Sequence, residues 1–224
     1  MYKNLRVTVV IPCLNEEQGI QNVLREVPLF VDEVIVVDNG STDHTADIAR
    51  EMGAHVITEL HRGYGRAYKS GFSRATGDLI VTLDGDHSYP VDALSYLLEA
   101  FVHCRVGFLS ASRFPLLRDT AMSPKHNIGN RILSFMMSLL FFRWVHDSQS
   151  GMWVFRRDAL EKMNLTSDGM AFSEEIKIEA IKNRDIGFRE IFINYSQRLG
   201  EKKLRPWRDG FQNLIFLLRK RLGI

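Results

Sequence analysis

The feature that most constrains this chain is a series of short, β-branched apolar runs, several of which stop at acidic side chains before a helical period begins. Residues 7–13 (VTVVIPC), 33–38 (EVIVVD) and 78–84 (DLIVTLD) are apolar almost without alternation, as strands covered on both faces must be. Shorter strand patterns follow at 56–57, 106–112, 153–155 and 188–193. Residues 16–27, a segment ending near 52, and residues 65–75 and 91–102 carry helical patterns between the early strands. Strand and helix alternating at this spacing predict a doubly wound, Rossmann-like α/β fold, with a mainly parallel sheet and helices on both faces. Past Arg113 the rhythm breaks. Residues 114–127, with two prolines, predict a long loop, then an apolar helix over 128–142, a helix over 173–183 and an amphipathic helix over about 207–221. No repeat, low-complexity tract or linker interrupts the 224 residues, so 1–224 is expected to be a single catalytic domain.

Composition narrows the setting. Cys13 and Cys104 make no disulfide framework, which points to a reducing compartment. No run reaches the roughly 18 apolar residues needed to span a bilayer. The net charge of +2 hides an asymmetry: eight Lys/Arg face two acids between Arg198 and Ile224, giving +6 there and leaving −4 for the rest. The 128–142 helix is apolar around most of its circumference, and the last helix joins Phe211, Leu214 and Leu218 to Arg219-Lys220-Arg221. Such helices either pack as core or lie on lipid. With the basic tail they predict a peripheral protein at the cytosolic membrane face, touching lipid or a membrane-embedded partner subunit, with a homo-oligomer left open. A nucleic-acid partner is not expected.

In parallel α/β sheets, ligands bind at the carboxyl ends of strands. Here those ends read Pro12-Cys13-Leu14-Asn15-Glu16, Asp38-Asn39-Gly40-Ser41-Thr42-Asp43 and Asp84-Gly85-Asp86. In extended backbone Asp84 and Asp86 point the same way, and Gly85 between them leaves room for a ligand. Two hard carboxylates without a His/Cys cluster suit Mg²⁺ or Mn²⁺ shared with a phosphate. Asp38 and Asp43 also suit capping of the next helix, and Asp147 an ordinary turn. No GxGxxG follows the first strand and no Walker-type lysine loop occurs, which removes the main support for dinucleotide or ATP binding.

In this order and spacing, Pro12 to Glu16, the Asp38–Asp43 segment, Arg62-Gly63-Tyr64-Gly65 and Asp84-Gly85-Asp86 resemble inverting family-two glycosyltransferases with the A-type fold. Asp147-Ser148-Gln149-Ser150-Gly151 and Arg198-Leu199-Gly200-Glu201-Lys202-Lys203 look like the dolichyl- or polyprenyl-phosphate sugar synthases of that group. The resemblance implies a nucleoside-diphosphate sugar as donor and a dolichyl or polyprenyl phosphate as acceptor. Pro12, Leu14, Asn15, Glu16, Asp38, Asn39, Ser41, Asp43, Gly65 and Gly85 would line the nucleotide-sugar pocket, and Asp84 and Asp86 would hold the sugar and metal. Arg198 and Lys203 would sit near the leaving group. Arg113, Arg118, Lys125, Arg131 and Ser134 would take the acceptor, Arg113 and Arg131 gripping its phosphate. The chain departs from the group's pattern at Leu14, where an aromatic residue is frequent, at Tyr64 and at Lys202. GDP-mannose and UDP-glucose both stay open as donors.

Acceptor chemistry separates two versions of this reaction. A phosphate monoester, with a second pKa of about 6, is already ionised at neutral pH and needs cations to aim it, not a base. A sugar hydroxyl needs a carboxylate base in reach. Glu174 and Glu175 are the candidates for that alternative, although acids also suit a helix N-terminus for its dipole alone.

Overall fold

The computed structural model describes residues 1–116, 121–200 and 206–224, with 206–208 by backbone only. Seven strands form one sheet: β1 (Val7–Cys13), β2 (Glu33–Asp38), β3 (His55–Thr58), β4 (Leu79–Thr82), β5 (Phe108–Ser112), β6 (Trp153–Arg156) and β7 (Phe188–Phe192). Their order across the sheet is β3-β2-β1-β4-β6-β5-β7. All pairings are parallel except those of β6, which runs antiparallel to both β4 and β5. The helices are α1 (Glu17–Glu26), α2 (Thr45–Glu51), α3 (Tyr64–Phe72), α4 (Ala93–Cys104), α5 (Pro124–Phe141), α6 (Phe172–Lys182) and α7 (Pro206–Leu222).

Period-two alternation decides which layer each side chain joins. Along β1, Val7, Val9, Ile11 and Cys13 enter a core with α1 and α4, while Val10 enters the opposite core with α3, α5 and α6. Both faces are covered, which explains the unbroken apolar runs. The switch point lies between β1 and β4: the chain first builds outward through β2 and β3, then returns to the other side of β1. Cavities at strand carboxyl ends open at such points.

Two boundaries differ from the sequence reading. β4 ends at Thr82, not at Asp84, so the acidic pair stands on the following loop. Helix α5 begins at Pro124, inside the stretch expected to be loop. Proline at the first helical position costs no hydrogen bond, because that N–H has no intrahelical partner. A period count misses such a polar opening turn (PKHN).

Candidate functional site

The loop after β1 and the loop after β4 meet at the switch point. Asn15 adopts a left-handed backbone, φ 52°, and the turn is tied across to the β2 loop: Asn15 N–H donates to Ser41 Oγ (2.9 Å), and Thr42 N–H donates to Asn15 Oδ1 (2.7 Å). Glu16 N–H donates to Thr45 Oγ1 (2.8 Å), and the buried Glu16 carboxylate is met by Arg198 at 2.9 Å. Gly85 is required by close packing: a Cβ there would stand 2.6 Å from Cys13 Sγ. That corrects the expectation that its missing side chain leaves space for a ligand.

Asp84 and Asp86 both border a cavity of about 390 Å³ with Tyr64, Tyr89, Arg113 and Arg198. Burial, the charge of Asp86 and that of Glu16 push the Asp84 carboxyl up to about 7, against the pull of Arg113 and Arg198. Asp86 is bound on one oxygen by Ser88 N–H (3.0 Å) and Ser88 Oγ–H (2.6 Å), and its other oxygen lies 3.4 Å from Arg198. Arg198 rides on a strap that crosses the acidic loop: Ser196 N–H donates to Ser88 O (3.0 Å) and Leu199 N–H to Asp86 O (2.8 Å). Its guanidinium is the cation already present among these acids.

Arg113 lines the same cavity, whose walls from α5 and α7 carry apolar side chains together with Lys125 and Asp209. Arg113 is buried and bound twice by Asp147, Nε to Oδ2 at 2.7 Å and an Nη to Oδ1 at 2.9 Å. Burial pulls the guanidinium down, but Asp147 outweighs it and holds it well above its ordinary value. Arg113 and Arg131 lie over the same ring, Phe114, at 5.9 and 5.4 Å, and Arg113 also lies over Tyr195 at 5.2 Å. Lys125, Met122, Ile132 and Leu133 line the wall toward α5, and Asn213 and Leu214 the wall from α7.

The remaining expected residues separate into those at the cavity and those spent on scaffolding. Asn39 is scaffold: its amide donates to the carbonyls of Glu59 and His61 (2.9 Å each) and accepts from Gly63 N–H (2.7 Å). Asp43 takes Thr45 N–H (3.0 Å) and Glu17 N–H (3.2 Å), the cap-like role weighed for it. Asp38 accepts from Ser41 N–H (3.1 Å) and shapes that turn. Gly65 is a packing position, where a Cβ would meet Ser167 O at 2.5 Å. Ser134 is buried and accepts from Ser148 N–H (2.9 Å), so it supports the 147–151 loop from α5. Pro12 and Leu14 are half-buried at the β1 end. Arg118 and Lys203 lie outside the described residues. Glu175 spends its oxygens on Thr166, Ser167 and Lys220, and Glu174 takes Gln149 Nε2–H at 2.6 Å from behind the cavity wall.

Sequence reasoning named Gln149 only within the 147–151 motif and missed Tyr89, Tyr195 and Lys177. Tyr89 Oη accepts from Gly151 N–H (2.7 Å) and so clamps the 147–151 loop to the acidic loop. Its place three residues after Asp86 was the available signal. Among the described residues no cluster of three or more His, Cys, Asp or Glu forms a complete metal cage. Nor is any described helix long and apolar enough to cross a membrane.

Comparisons with known proteins identify the family. Residues 8–163 match the sequence profile of Glycosyl transferase family 2. The low-salt glycan biosynthesis hexosyltransferase Agl6 of Haloferax volcanii is 36% identical over 219 residues, 95% of this chain; the chain spans about half of Agl6, 53% of its length. A dolichyl-phosphate hexose transferase of the same organism is 33% identical over 207 residues, 91% of this chain and 89% of that protein. The crystal structure of glucosyl-3-phosphoglycerate synthase from Mycobacterium tuberculosis with Mn²⁺, UDP and glucosyl-3-phosphoglycerate superposes with a TM-score of 0.73 at 23% identity, covering 99% of this chain and 81% of that one. Fold, profile and relatives converge: the chain belongs to glycosyl transferase family 2 and is a glycosyltransferase of the A-type fold.

Proposed function

We propose that this enzyme moves a hexose, mannose or glucose, from a nucleoside-diphosphate sugar to a dolichyl or polyprenyl phosphate, with inversion at the anomeric carbon. The observation that carries the reading is a single cavity that joins the carboxylates at the switch point to Arg113, Lys125 and the walls of α5 and α7. A phosphate nucleophile is ionised already, so it needs cations to hold and aim it, here Arg113 and Lys125 of the cavity lining with Arg131, which shares the Phe114 ring with Arg113. The hydroxyl-acceptor alternative needs an ionised base at the cavity, but Glu175 is engaged with Lys220, and Glu174, outside the cavity lining, is pushed well above its ordinary range by burial. A relative named for dolichyl-phosphate hexose transfer points the same way.

A divalent cation fits the donor end. The Asp84 carboxyl is pushed up because burial and neighbouring acids leave its charge under-compensated, and two hard carboxylates suit Mg²⁺ or Mn²⁺ that also takes diphosphate oxygens. Asp86 and Asp84 would hold it, and it would supply charge neutralisation for the departing nucleoside diphosphate. Arg198, already against Asp86 and Glu16, adds positive charge at the same end. Asn15, Glu16 and Asp38 shape the neighbouring turns, where the nucleoside is placed. Arg113, orientated by Asp147, fixes the attacking phosphate on the other side of the sugar, and proximity with charge stabilisation carries the rate.

The outer faces support contact with a membrane surface. Ile128, Ile132, Phe135, Leu139 and Phe142 form one exposed stripe on α5, at spacings of four and three residues, beside exposed Phe211, Leu218 and Leu222 on α7. Arg221 lies over the Phe142 ring at 5.2 Å, joining the basic end of α7 to this stripe. An apolar stripe edged with cations suits an anionic lipid surface.

The decisive assay incubates the enzyme with labelled UDP-glucose or GDP-mannose, polyprenyl phosphate and Mn²⁺, and follows label into the lipid phase. Transfer that is lost in chelator and in Asp86→Ala is expected. Turnover of a folded Asp86→Ala near the wild-type rate, or transfer to a soluble hydroxyl acceptor with polyprenyl phosphate inert, refutes the proposal.

A further inference from the structure

Helix α6 buries an unusual run of polar side chains. Ser173, Glu174, Glu175 and Lys177 are 0–2% exposed. An ammonium is among the costliest groups to bury, several kcal/mol even after relaxation, and a methionine would fill the same volume without that cost. Lys177 nevertheless sits there and spends all three donors on one loop: its Nζ–H groups reach the carbonyls of Asp147 (2.9 Å), Ser148 (2.8 Å) and Ser150 (2.8 Å). Trp153 covers it from the sheet at 5.8 Å. The loop is therefore gathered around a single positive charge.

The same loop presents Asp147, fully buried, to Arg113 through three hydrogen bonds, two from the guanidinium and one from the Arg113 N–H at 3.0 Å. Those bonds set both the backbone start of the 113–116 segment and the plane of its guanidinium. The order of contact runs Lys177, loop carbonyls, Asp147, Arg113, cavity. Glu190 closes the loop from β7, accepting from Asp147 N–H at 3.1 Å. We propose that the buried Lys177–Asp147 pair is a positioning unit that aims Arg113 at the acceptor phosphate. Neither residue touches the substrate; the pair acts through Arg113 alone, so the inference rests on the acceptor reading of that arginine. Two further facts agree with it. Burial pulls the ammonium down to about 8 while Asp147 and Glu190 hold it up. Burial likewise pushes Asp147 up, but Arg113 and Lys177 outweigh it and keep the carboxylate below its ordinary range. Each charge is maintained by the others.

The test separates positioning from mere support. Lys177→Met, Arg113→Lys and the double variant are assayed with donor and polyprenyl phosphate varied independently, and folding is checked by the thermal shift that UDP with Mn²⁺ induces. Lys177→Met is expected to raise the KM for polyprenyl phosphate about tenfold or more, to leave the donor KM within about twofold, and to add little to the effect of Arg113→Lys. A fall in kcat with both KM values unchanged, or effects that multiply in the double variant, overturns the proposal and marks Lys177 as structural. If Arg113→Lys itself leaves the acceptor KM unchanged, the acceptor reading fails and takes the inference with it, a result distinct from failure of Lys177→Met alone. Should Lys177→Met not accumulate as folded protein, Asp147→Asn decides: the same acceptor-selective rise is expected, and an unchanged acceptor KM overturns the proposal.

Discussion

Asp84→Asn should make the ligand-free protein more stable and inactive at once. In the folded chain, burial, Asp86 and Glu16 carry the Asp84 carboxyl from 3.8 to about 7. The unfolded chain releases this proton near 3.8 and the folded chain only near 7, so between those values the folded state binds more protons. Stability therefore falls as pH rises through this window, and the loss is complete above pH 7. At about 1.4 kcal/mol per pH unit, the ceiling is about 4 kcal/mol. Asp84 keeps partial contact with solvent, which screens it, so about 2 kcal/mol is the working value. For a chain of this size that is a rise in Tm of about 4–8 °C. The asparagine removes the charge and keeps an acceptor for Tyr68 Oη–H, 3.5 Å away. Calorimetry at pH 8, 5 and 4 on both proteins, without metal or nucleotide, reads the effect. The gain should be largest at pH 8, shrink to about a third at pH 5 and vanish near pH 4. An equal or lower Tm for Asp84→Asn at pH 8, or a difference independent of pH, refutes the claim that this carboxylate is electrostatically burdened.

Three further predictions concern other parts of the molecule. Gly151→Ala would set a methyl group against the Tyr64 hydroxyl and about 3.3 Å from Asp84 Oδ1; kcat should fall at least tenfold with a Tm loss of about 1–3 kcal/mol equivalent, and unchanged kinetics would show that this end of the cavity is slack. Replacing Phe135 and Leu139, 59% and 56% exposed, by Glu should abolish cosedimentation with anionic vesicles while moving Tm by less than about 2 °C; retained vesicle binding would rule out the stripe as the membrane face. Arg198→Ala removes the cation now shared by Glu16 and Asp86, so Mn²⁺ binding without nucleotide, followed by calorimetric titration, should tighten about three- to tenfold while transfer slows. Weaker Mn²⁺ binding would place the metal elsewhere.

The fold was largely legible because it depends on periodicity. Strands β1, β2 and β4, buried on both faces, announced themselves as apolar runs, and the acidic pair after β4 marked the cavity edge. The orientation of β6 was not legible: Trp153–Arg156 looks like any short buried strand, and only its insertion between β4 and β5 reveals it as antiparallel. Of the residues expected at the site, Asp84, Asp86, Arg113, Lys125 and Arg198 line one cavity. The site was misjudged at Asn39 and Gly65, because a polar or glycine position beside a pocket looks alike whether it serves the ligand or the turn. Lys177 gave no sign, and Gln149 showed only as one member of the 147–151 motif. Their roles come from hydrogen bonds between α6, the 147–151 loop and α7, and residue type carries no record of such pairings.

What binds these observations together is the way the cavity distributes charge. Asp84 feels Asp86 and Glu16 as opponents and Arg113 and Arg198 as supporters, so the acids and the arginines are not independent. Arg113 is itself largely neutralised by Asp147, which would leave it little attraction for a phosphate if Lys177 did not hold the loop from behind and oppose that carboxylate. Arg198 is likewise shared, by Glu16 and Asp86. Both arginines are thus already ion-paired in the resting protein, Arg113 with Asp147 and Arg198 with Glu16 and Asp86. Fixed charges that are already orientated need no reorganisation when a ligand arrives. Under the proposed function, a donor bringing a cation would relieve the acids, and an acceptor phosphate would then draw on Arg113 without leaving Asp84 more exposed to its like-charged neighbours. The strain among the acids is in this sense the counterpart of the order among the arginines, and both follow from placing three carboxylates at one switch point of the sheet.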